Sequence, residues 1–473
     1  MRIFRYLSIV FLLLLLVGYV RPALDAPEQD VSFSERVVIS GLSDPWEIVM
    51  GPDNYVWATE AKAYRVIRVH VASGNKQVVL DLSGARQFKK GENLPWPQGG
   101  LMGMALHPEM GSGTPYVYLA YAYKHLQGNR FLVRLARYQY NSRSQMLEQG
   151  QTICDSIPAS NDHNGGRLAI AREKGLPYLF YSVGDMGSGQ FKNGGAPNYA
   201  QNVSSYEGKI LRYHLEPSAQ SSGEDAWIPS DNPFNGQRRS AVWTVGHRNP
   251  QGLAAANIEG TDMLYASEHG PYSDDEINLI QRGANYGHPL VIGYADGNYS
   301  GLAASVSSNQ DYPGPWHTSY PLIGTEQDNA RKIGSSYRDP VKSFYPVPAD
   351  TLKPLFKKIN SGGKSDWLAW APAGIEVYDK DVIPGWKRSL LIATLKGGTL
   401  LRLKLNDEGK IAGQQVFEYQ KGRQRYRDVT VSAAGEKIYL ATDSASVTSG
   451  PSAENPKSVA CRGCIIELTY QSR

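Results

Sequence analysis

The residues able to do chemistry fall in a few short stretches. Residues 160–168 read SNDHNGGRL, which sets Asp162 beside His163 among turn formers. Asn, Asp and Gly favour loops, and paired glycines permit positive φ or close backbone approach. A loop histidine beside a carboxylate is either a local hydrogen-bonding detail or a general base whose imidazolium the carboxylate orients and stabilises. Elsewhere, PWPQGG (95–100) carries Gln98, GHRNPQG (246–252) carries Arg248 and Asn249, and WLAWAPAG (367–374) carries Trp367 and Trp370. Lys396, Arg425 and Arg427 would make a cationic group able to bind a ligand with several carboxylates, the arginines in bidentate fashion. Taken singly, such side chains are more often solvated surface charges. Asp274, Asp275 and Glu276 are hard oxygen ligands of the kind calcium prefers, although the spacing is not that of an EF-hand and acidic triplets are usually solvated turns.

These side chains need elements to position them, and the chain supplies a repeat. Six strands rich in Tyr and aliphatic residues recur: YVWATE (55–60), YVYLAYAY (116–123), YLFYSVGD (178–185), MLYASEHG (263–270), SLLIATLKG (389–397) and IYLATDSA (438–445). Each follows a shorter apolar segment and a turn with Gly, Pro, Asp or Asn, so each couplet reads as a β-hairpin. Six similar hairpins predict an all-β fold, a six-bladed β-propeller with long loops; a pair of β-sandwiches is the alternative. In a propeller the stretches preceding the hairpins lie at one end of the molecule. Gln98, Asp162, His163, Arg248, Asn249, Trp367, Arg425 and Arg427 would then surround one mouth. The far ends of the second strands would add Gln190, His269 with Gly270 and Pro271, and Lys396. The widest gap holds a polar Gly/Ser/Pro-rich insert at about 295–365, expected as surface loops or a dimer contact.

Bulk properties narrow the class. The chain has 473 residues, 41% hydrophobic and 20% charged, with 48 Gly, 29 Tyr and a net charge of +4. This is a globular composition without a basic block, which sets nucleic-acid binding aside. At the N-terminus, Arg2 and Arg5 precede the apolar run Ile9–Val17, the pattern of a secretory signal. Residues 1–26 are read as that signal, with a poor cleavage site at Ala26, and 27–473 as one propeller domain in an exported protein; an uncleaved anchor is the alternative. Export is compatible with a disulfide between Cys461 and Cys464, leaving Cys154 alone. The chain contains no P-loop, HExxH or GxSxG motif.

DHNGGRL, GHRNPQGLA, EHGPYSDDEINLIQRGANYGHP, LKGGTLLRLKL and RYRDVTVSAAGEKIYLATD, in that order, together resemble the soluble quinoprotein glucose dehydrogenases. That family is a six-bladed propeller using pyrroloquinoline quinone (PQQ) to oxidise aldoses at C1 to the lactone. The resemblance implies His163 as the base taking the C1 hydroxyl proton, with Asp162 in support, and Arg248 polarising the quinone oxygen. It implies Asn249, Trp367, Lys396, Arg425 and Arg427 as cofactor-binding residues, with Gln98 and Gln190 near cofactor and sugar. Gly270 and Pro271 match backbone carbonyls holding a calcium ion (Ca2+) beside PQQ, where the ion is Lewis acid and template. Glu276, Tyr286 and Asp296 fall near additional calcium ligands associated with dimer stability. An aldose substrate, an external acceptor such as a quinone or redox protein, and a homodimer complete the expectation. His269 departs from the Gln frequent before Gly-Pro. Near SDWLAW, Lys364 and Ala369 stand in place of the usual Tyr and Thr contacts, changes that fall on the sugar and cofactor rim.

Two further readings stand beside this one. A propeller sugar lactonase would use metal-bound water among axial carboxylate or Asn ligands and has no need of Lys396, Arg425 and Arg427. A catalytically silent propeller binding carbohydrate or protein has no need to keep His163 and Arg248 beside that cationic group.

Overall fold

The computed structural model describes residues 31–86, 99–125, 131–190, 193–422, 424–443 and 460–472. The proposed signal, 1–26, and Gln98 lie outside the described residues. Among the described residues, twenty-four strands form six four-stranded antiparallel sheets. Blade one comprises β2 (Pro45–Met50), β3 (Tyr55–Glu60), β4 (Arg65–His70) and β5 (Lys76–Asp81). Blade two comprises β6 (Leu101–Leu106), β7 (Tyr116–Lys124), β8 (Phe131–Asn141) and β9 (Met146–Pro158). Blade three has β10 (Leu168–Glu173), β11 (Leu176–Val183), β12 (Lys209–His214) and β13 (Val242–Val245). In blade four are β14 (Pro250–Ile258), β15 (Thr261–Glu268), β16 (Asp275–Leu279) and β17 (Lys342–Phe344). Blade five has β18 (Pro372–Tyr378), β19 (Ser389–Thr394), β20 (Leu400–Lys404) and β21 (Phe417–Tyr419). Blade six joins β22 (Tyr426–Val431), β23 (Lys437–Thr442) and β24 (Ile465–Gln471) to the first strand of the chain, β1 (Ser32–Ile39).

The six expected hairpins are the two inner strands of each blade, and at two of them the tip explains the register. Lys174 and Gly175 have φ of 52° and 78°, and Glu259 and Gly260 have φ of 48° and 83°. Each pair closes a two-residue loop, between Glu173↔Leu176 and Ile258↔Thr261. Positive φ at both loop positions is the type I′ geometry, whose twist matches that of the flanking strands. The six-bladed expectation therefore holds. The chain's own ends close the ring: β1 pairs antiparallel with β24, from Ser32↔Gln471 to Ile39↔Ile465.

Adjacent innermost strands pack against one another around the axis, and separate apolar clusters fill the wedges between blades. Between β16 and β18 the insert is more than surface loop. It carries β17, helix α1 (Glu326–Ile333) and helix α2 (Ala349–Asn360), with its own buried cluster including Tyr299, Leu302, Tyr320, Leu352 and Phe356.

At the axis lies one guanidinium. Arg167, 1% exposed, pairs with Glu47 of β2 at 2.8 Å and Asp428 of β22 at 3.0 Å. It also donates to the carbonyls of Gln251 (β14) at 2.8 Å and Trp46 at 3.3 Å. Burial raises both carboxyls, Glu47 well above its ordinary range, while Arg167 opposes the shift. Removing the cation strands two buried carboxyls, which costs about 3–5 kcal/mol. Arg167→Met should therefore lower the unfolding free energy by about that much in chemical denaturation. Glu47→Gln, which keeps the shape and leaves one carboxylate opposite the cation, should cost far less.

Candidate active site

The open ends of the inner hairpins converge at one end of the axis, and the predicted residues collect there. His163 precedes β10 with φ of 48°, a left-handed conformation uncommon for a side-chain-bearing residue. Gly184 makes this possible, since a Cβ there would run into the His163 carbonyl. His163 Nδ1 lies 2.6 Å from Asp185 Oδ1, and its Nε2 lies 2.8 Å from Gln190 Nε2. The Gln190 amide is oriented by its neighbours: its Oε1 accepts from Arg248 Nη2 at 2.8 Å, and its Nε2 donates to Asp162 Oδ2 at 2.8 Å. An amide nitrogen only donates, so His163 Nε2 is the acceptor and Nδ1 carries the proton it gives Asp185. That tautomer leaves the basic nitrogen on the side of Gln190 and Arg248.

Asp162 is therefore not the partner that orients the ring. It approaches Nε2 only to 4.0 Å, and its Oδ1 accepts instead from the His163 backbone N–H at 3.1 Å. The orienting carboxylate is Asp185, just beyond β11, and it was missed. Its position matches that of His269 and Lys396 at the ends of β15 and β19, and that equivalence was the available signal. Asp185 also meets His288 Nε2 at 2.9 Å, the Tyr320 hydroxyl at 2.7 Å and Asn198 Nδ2 at 3.1 Å. Tyr320 comes from the insert, so the insert reaches into the support of His163. Burial would raise the Asp185 carboxyl, but His163 and His288 hold it well below the ordinary carboxylate range.

Arg248 donates from Nη1 to the His269 carbonyl at 3.1 Å, and Glu268 accepts from the backbone N–H of both Arg248 and Asn249. Burial pushes the His269 imidazole well below its usual range, and the charges of Arg248, Arg427 and Arg425 add to this. Across the mouth, Asp443 pairs with Arg425 at 3.3 Å and with Arg427 at 2.5 Å. Arg427 also donates to Gln251 Oε1 at 2.7 Å and stacks over Trp46. Burial pushes Arg425 down to about 10. Lys62, from blade one, feels the charges of Asp443, Arg427 and Arg425, a fourth cation that the sequence did not suggest. Lys396 reaches Asp366 at 2.6 Å and the Trp367 carbonyl, with its ammonium 4.7 Å from the Trp367 ring centre.

Among the described residues, three buried nitrogens in this mouth have no hydrogen-bond partner: Arg248 Nε, Asn249 Nδ2 and His269 Nε2. Together with the cations they suit a ligand rich in carbonyl and carboxylate oxygens. The acidic stretch behaves differently from a solvated turn. Asp275 accepts from the Gly270, Trp370 and Ala371 N–H groups, joining blades four and five, and burial raises it to about 6. Glu276 accepts from Asn278 Nδ2 and Gly293 N–H. The Tyr286 hydroxyl donates to the Leu279 carbonyl and accepts from Gln281, so it is engaged within the protein. Asp296 accepts from the Asn298 N–H. Among the described residues, no three His, Cys, Asp or Glu side chains are grouped to hold a metal ion.

The sequence profile described as Glucose / Sorbosone dehydrogenase matches residues 42–325 and 362–448. The chain belongs to this family. Quinoprotein glucose dehydrogenase B of Acinetobacter calcoaceticus is 31% identical over 481 residues, covering 96% of this chain and 94% of that protein. The aldose sugar dehydrogenase YliI of Escherichia coli is 26% identical over 417 residues, covering 87% and 90%. Among solved structures, the PQQ-bound aldose sugar dehydrogenase of Streptomyces coelicolor superposes with a TM-score of 0.62 at 25% identity, covering 94% of this chain and all of that one. Membership of the glucose/sorbosone dehydrogenase family makes the chain an oxidoreductase, and the mouth just described is its candidate active site.

The depressed Asp185 carboxyl links this site to acid stability. Its contribution is fully present above the unfolded-state value of about 4 and is lost as pH falls through the lower folded value. The stability gap between wild type and Asp185→Asn, read from thermal denaturation, should be constant above about pH 5 and shrink below about pH 4.

Proposed function

We propose that this protein is an exported, PQQ- and calcium-dependent dehydrogenase that oxidises the C1 hydroxyl of an aldose to the lactone. The observation that carries this reading is the hydrogen-bonded chain Asp185–His163–Gln190–Arg248 facing a buried cationic group. PQQ, when bound, supplies a two-electron quinone acceptor, with calcium beside it as Lewis acid. Arg425, Arg427 and Lys396 would meet its carboxylates, Asn249 its polar edge, and Trp367 its ring. Arg248 would face the quinone oxygen where negative charge develops. His163 Nε2 takes the C1 hydroxyl proton, and Asp185 holds the resulting imidazolium. Asp162 and Gln190 would orient the sugar, with Gln190 yielding its contact to Nε2 as the substrate hydroxyl arrives.

For calcium, the Gly270 and Pro271 carbonyls would serve beside the cofactor. Glu276, Asp296 and the Tyr286 backbone would serve a second ion. Burial raises the carboxyls of Asp274 and Glu326, and the charge of Asp296 adds to both. The N-terminal signal pattern supports export to a periplasm or beyond, where a quinone or redox protein would take the electrons. Among the described residues no helix is long and apolar enough to cross a membrane.

The test is reconstitution. Apoprotein given PQQ and Ca2+ should retain the cofactor spectrum and reduce a dye with at least one aldose. Absence of both would overturn the reading. His163→Ala should lower kcat by roughly 10²–10⁴ with PQQ still retained.

Lys396→Ala and Arg427→Ala should instead weaken PQQ retention while leaving the sugar KM of the loaded enzyme little changed. Equilibrium dialysis against PQQ checks this, and an unchanged PQQ affinity in both variants would remove the cationic group from the assignment.

A further inference from the structure

The CRGC turn lies directly behind the cationic group. Cys461 and Cys464 form a disulfide, and Cys461 is half-buried while Cys464 is fully buried. Thr442 Oγ1 donates to the Cys461 carbonyl at 2.8 Å and accepts from the Cys464 N–H at 2.8 Å. The Cys461 N–H donates to Gln424 Oε1 at 2.9 Å, and the Cys464 carbonyl accepts from the Thr442 N–H at 2.9 Å. Thr442 immediately precedes Asp443, and Gln424 immediately precedes Arg425. The turn thus grips both flanks of the Arg425–Asp443 pair, whose backbones also bond from the Asp443 N–H to the Arg425 carbonyl at 2.9 Å. Its third hold is on the link from β1 to blade one, where the Leu42 N–H donates to the Gly463 carbonyl at 2.8 Å.

Five hydrogen bonds converge on a four-residue turn whose two ends are covalently tied. That arrangement does more than close a blade. Buried like charges repel, and Arg425 and Arg427 stay together because Asp443 is held between them. Whatever sets the position of Asp443 sets the spacing of the two guanidinium groups.

We propose that the Cys461–Cys464 turn is a redox-sensitive clasp that positions Asp443, Arg425 and Arg427 for an anionic cofactor. The inference rests on the PQQ reading for the identity of that cofactor, and on the contacts above for the clasp itself. A dithiol reductant opens it: the Cys461–Cys464 S–S bond breaks, two protons and two electrons pass to the sulfurs, and the reductant closes into its own disulfide. The turn then keeps its hydrogen bonds only as an untied loop, and Gln424 and Thr442 lose their fixed partners.

The test compares oxidised protein, protein reduced by excess dithiol, and the Cys461→Ser/Cys464→Ser double variant, with two readouts. Amide hydrogen exchange should quicken in residues 424–431 and 437–443 on reduction, with the β10–β11 hairpin of blade three unchanged. In PQQ titration of the apoprotein followed by fluorescence, the dissociation constant should rise about tenfold, the scale of one lost positioned hydrogen bond. Sugar KM at saturating PQQ should stay the same. Thr442→Val should resemble the reduced state in both readouts and respond little to reductant, whereas Thr442→Ser should behave as wild type. Equal exchange in the oxidised and reduced forms overturns the clasp, as does quickening spread evenly over the ring. If oxidised wild type binds no PQQ, the cofactor reading falls, and the exchange contrast still decides the clasp.

Discussion

Everything at the mouth depends on a charge buried at the axis. Arg167 bonds to blade one through Glu47 and the Trp46 carbonyl, to blade six through Asp428 and to blade four through Gln251. A propeller ring has a narrow centre where six inner strands approach without filling it with apolar side chains. One guanidinium with several donors in a fixed plane meets acceptors from three blades at once. Arg167 also stands four residues after His163 in DHNGGRL. Anchoring its end of that loop, with Gly165 N–H bonded to Asn249 Oδ1, leaves the loop little freedom in presenting the histidine.

Above that anchor, the site is built from reciprocal constraints between elements distant in sequence. Gln190 accepts from Arg248 and donates to Asp162 and His163, so one amide sets the relation of the base to the cation opposite. Asp185 collects His163, His288, Tyr320 and Asn198 around a single buried carboxylate. The cationic side is arranged on the same plan, with Asp443 and Asp366 as counter-charges to Arg425, Arg427 and Lys396. Buried charges persist only when paired and hydrogen-bonded, and Arg425, Arg427 and Lys396 each have a carboxylate partner.

The sequence disclosed more of the fold than of the site's wiring. Alternating strand patterns and turn residues revealed the hairpins, and the repeat placed their open ends together. The acid partner of His163 was misread because adjacency in the chain favoured Asp162. The positive φ at His163 turns the ring so that Nδ1 faces Asp185 on the neighbouring strand end. The polar, Gly-, Ser- and Pro-rich composition of the insert suggests surface loops or a dimer contact and hides its packed core. Its helices carry few apolar residues each, and their burial depends on a shared cluster that no single segment reveals.

By itself, then, the sequence determined the all-β class, the number of blades, the family resemblance and most of the polar groups at the mouth. These follow from local patterns of period two, from turn chemistry and from short motifs, all encoded within a few consecutive residues. Only the tertiary structure decided the closure of the ring by β1 on β24, the Asp185–His163 pairing and the orientation of Gln190. It also decided which carboxylates hold Arg425, Arg427 and Arg167. Each of these is a contact between residues far apart in the chain, set by which side chains can pair once water is excluded.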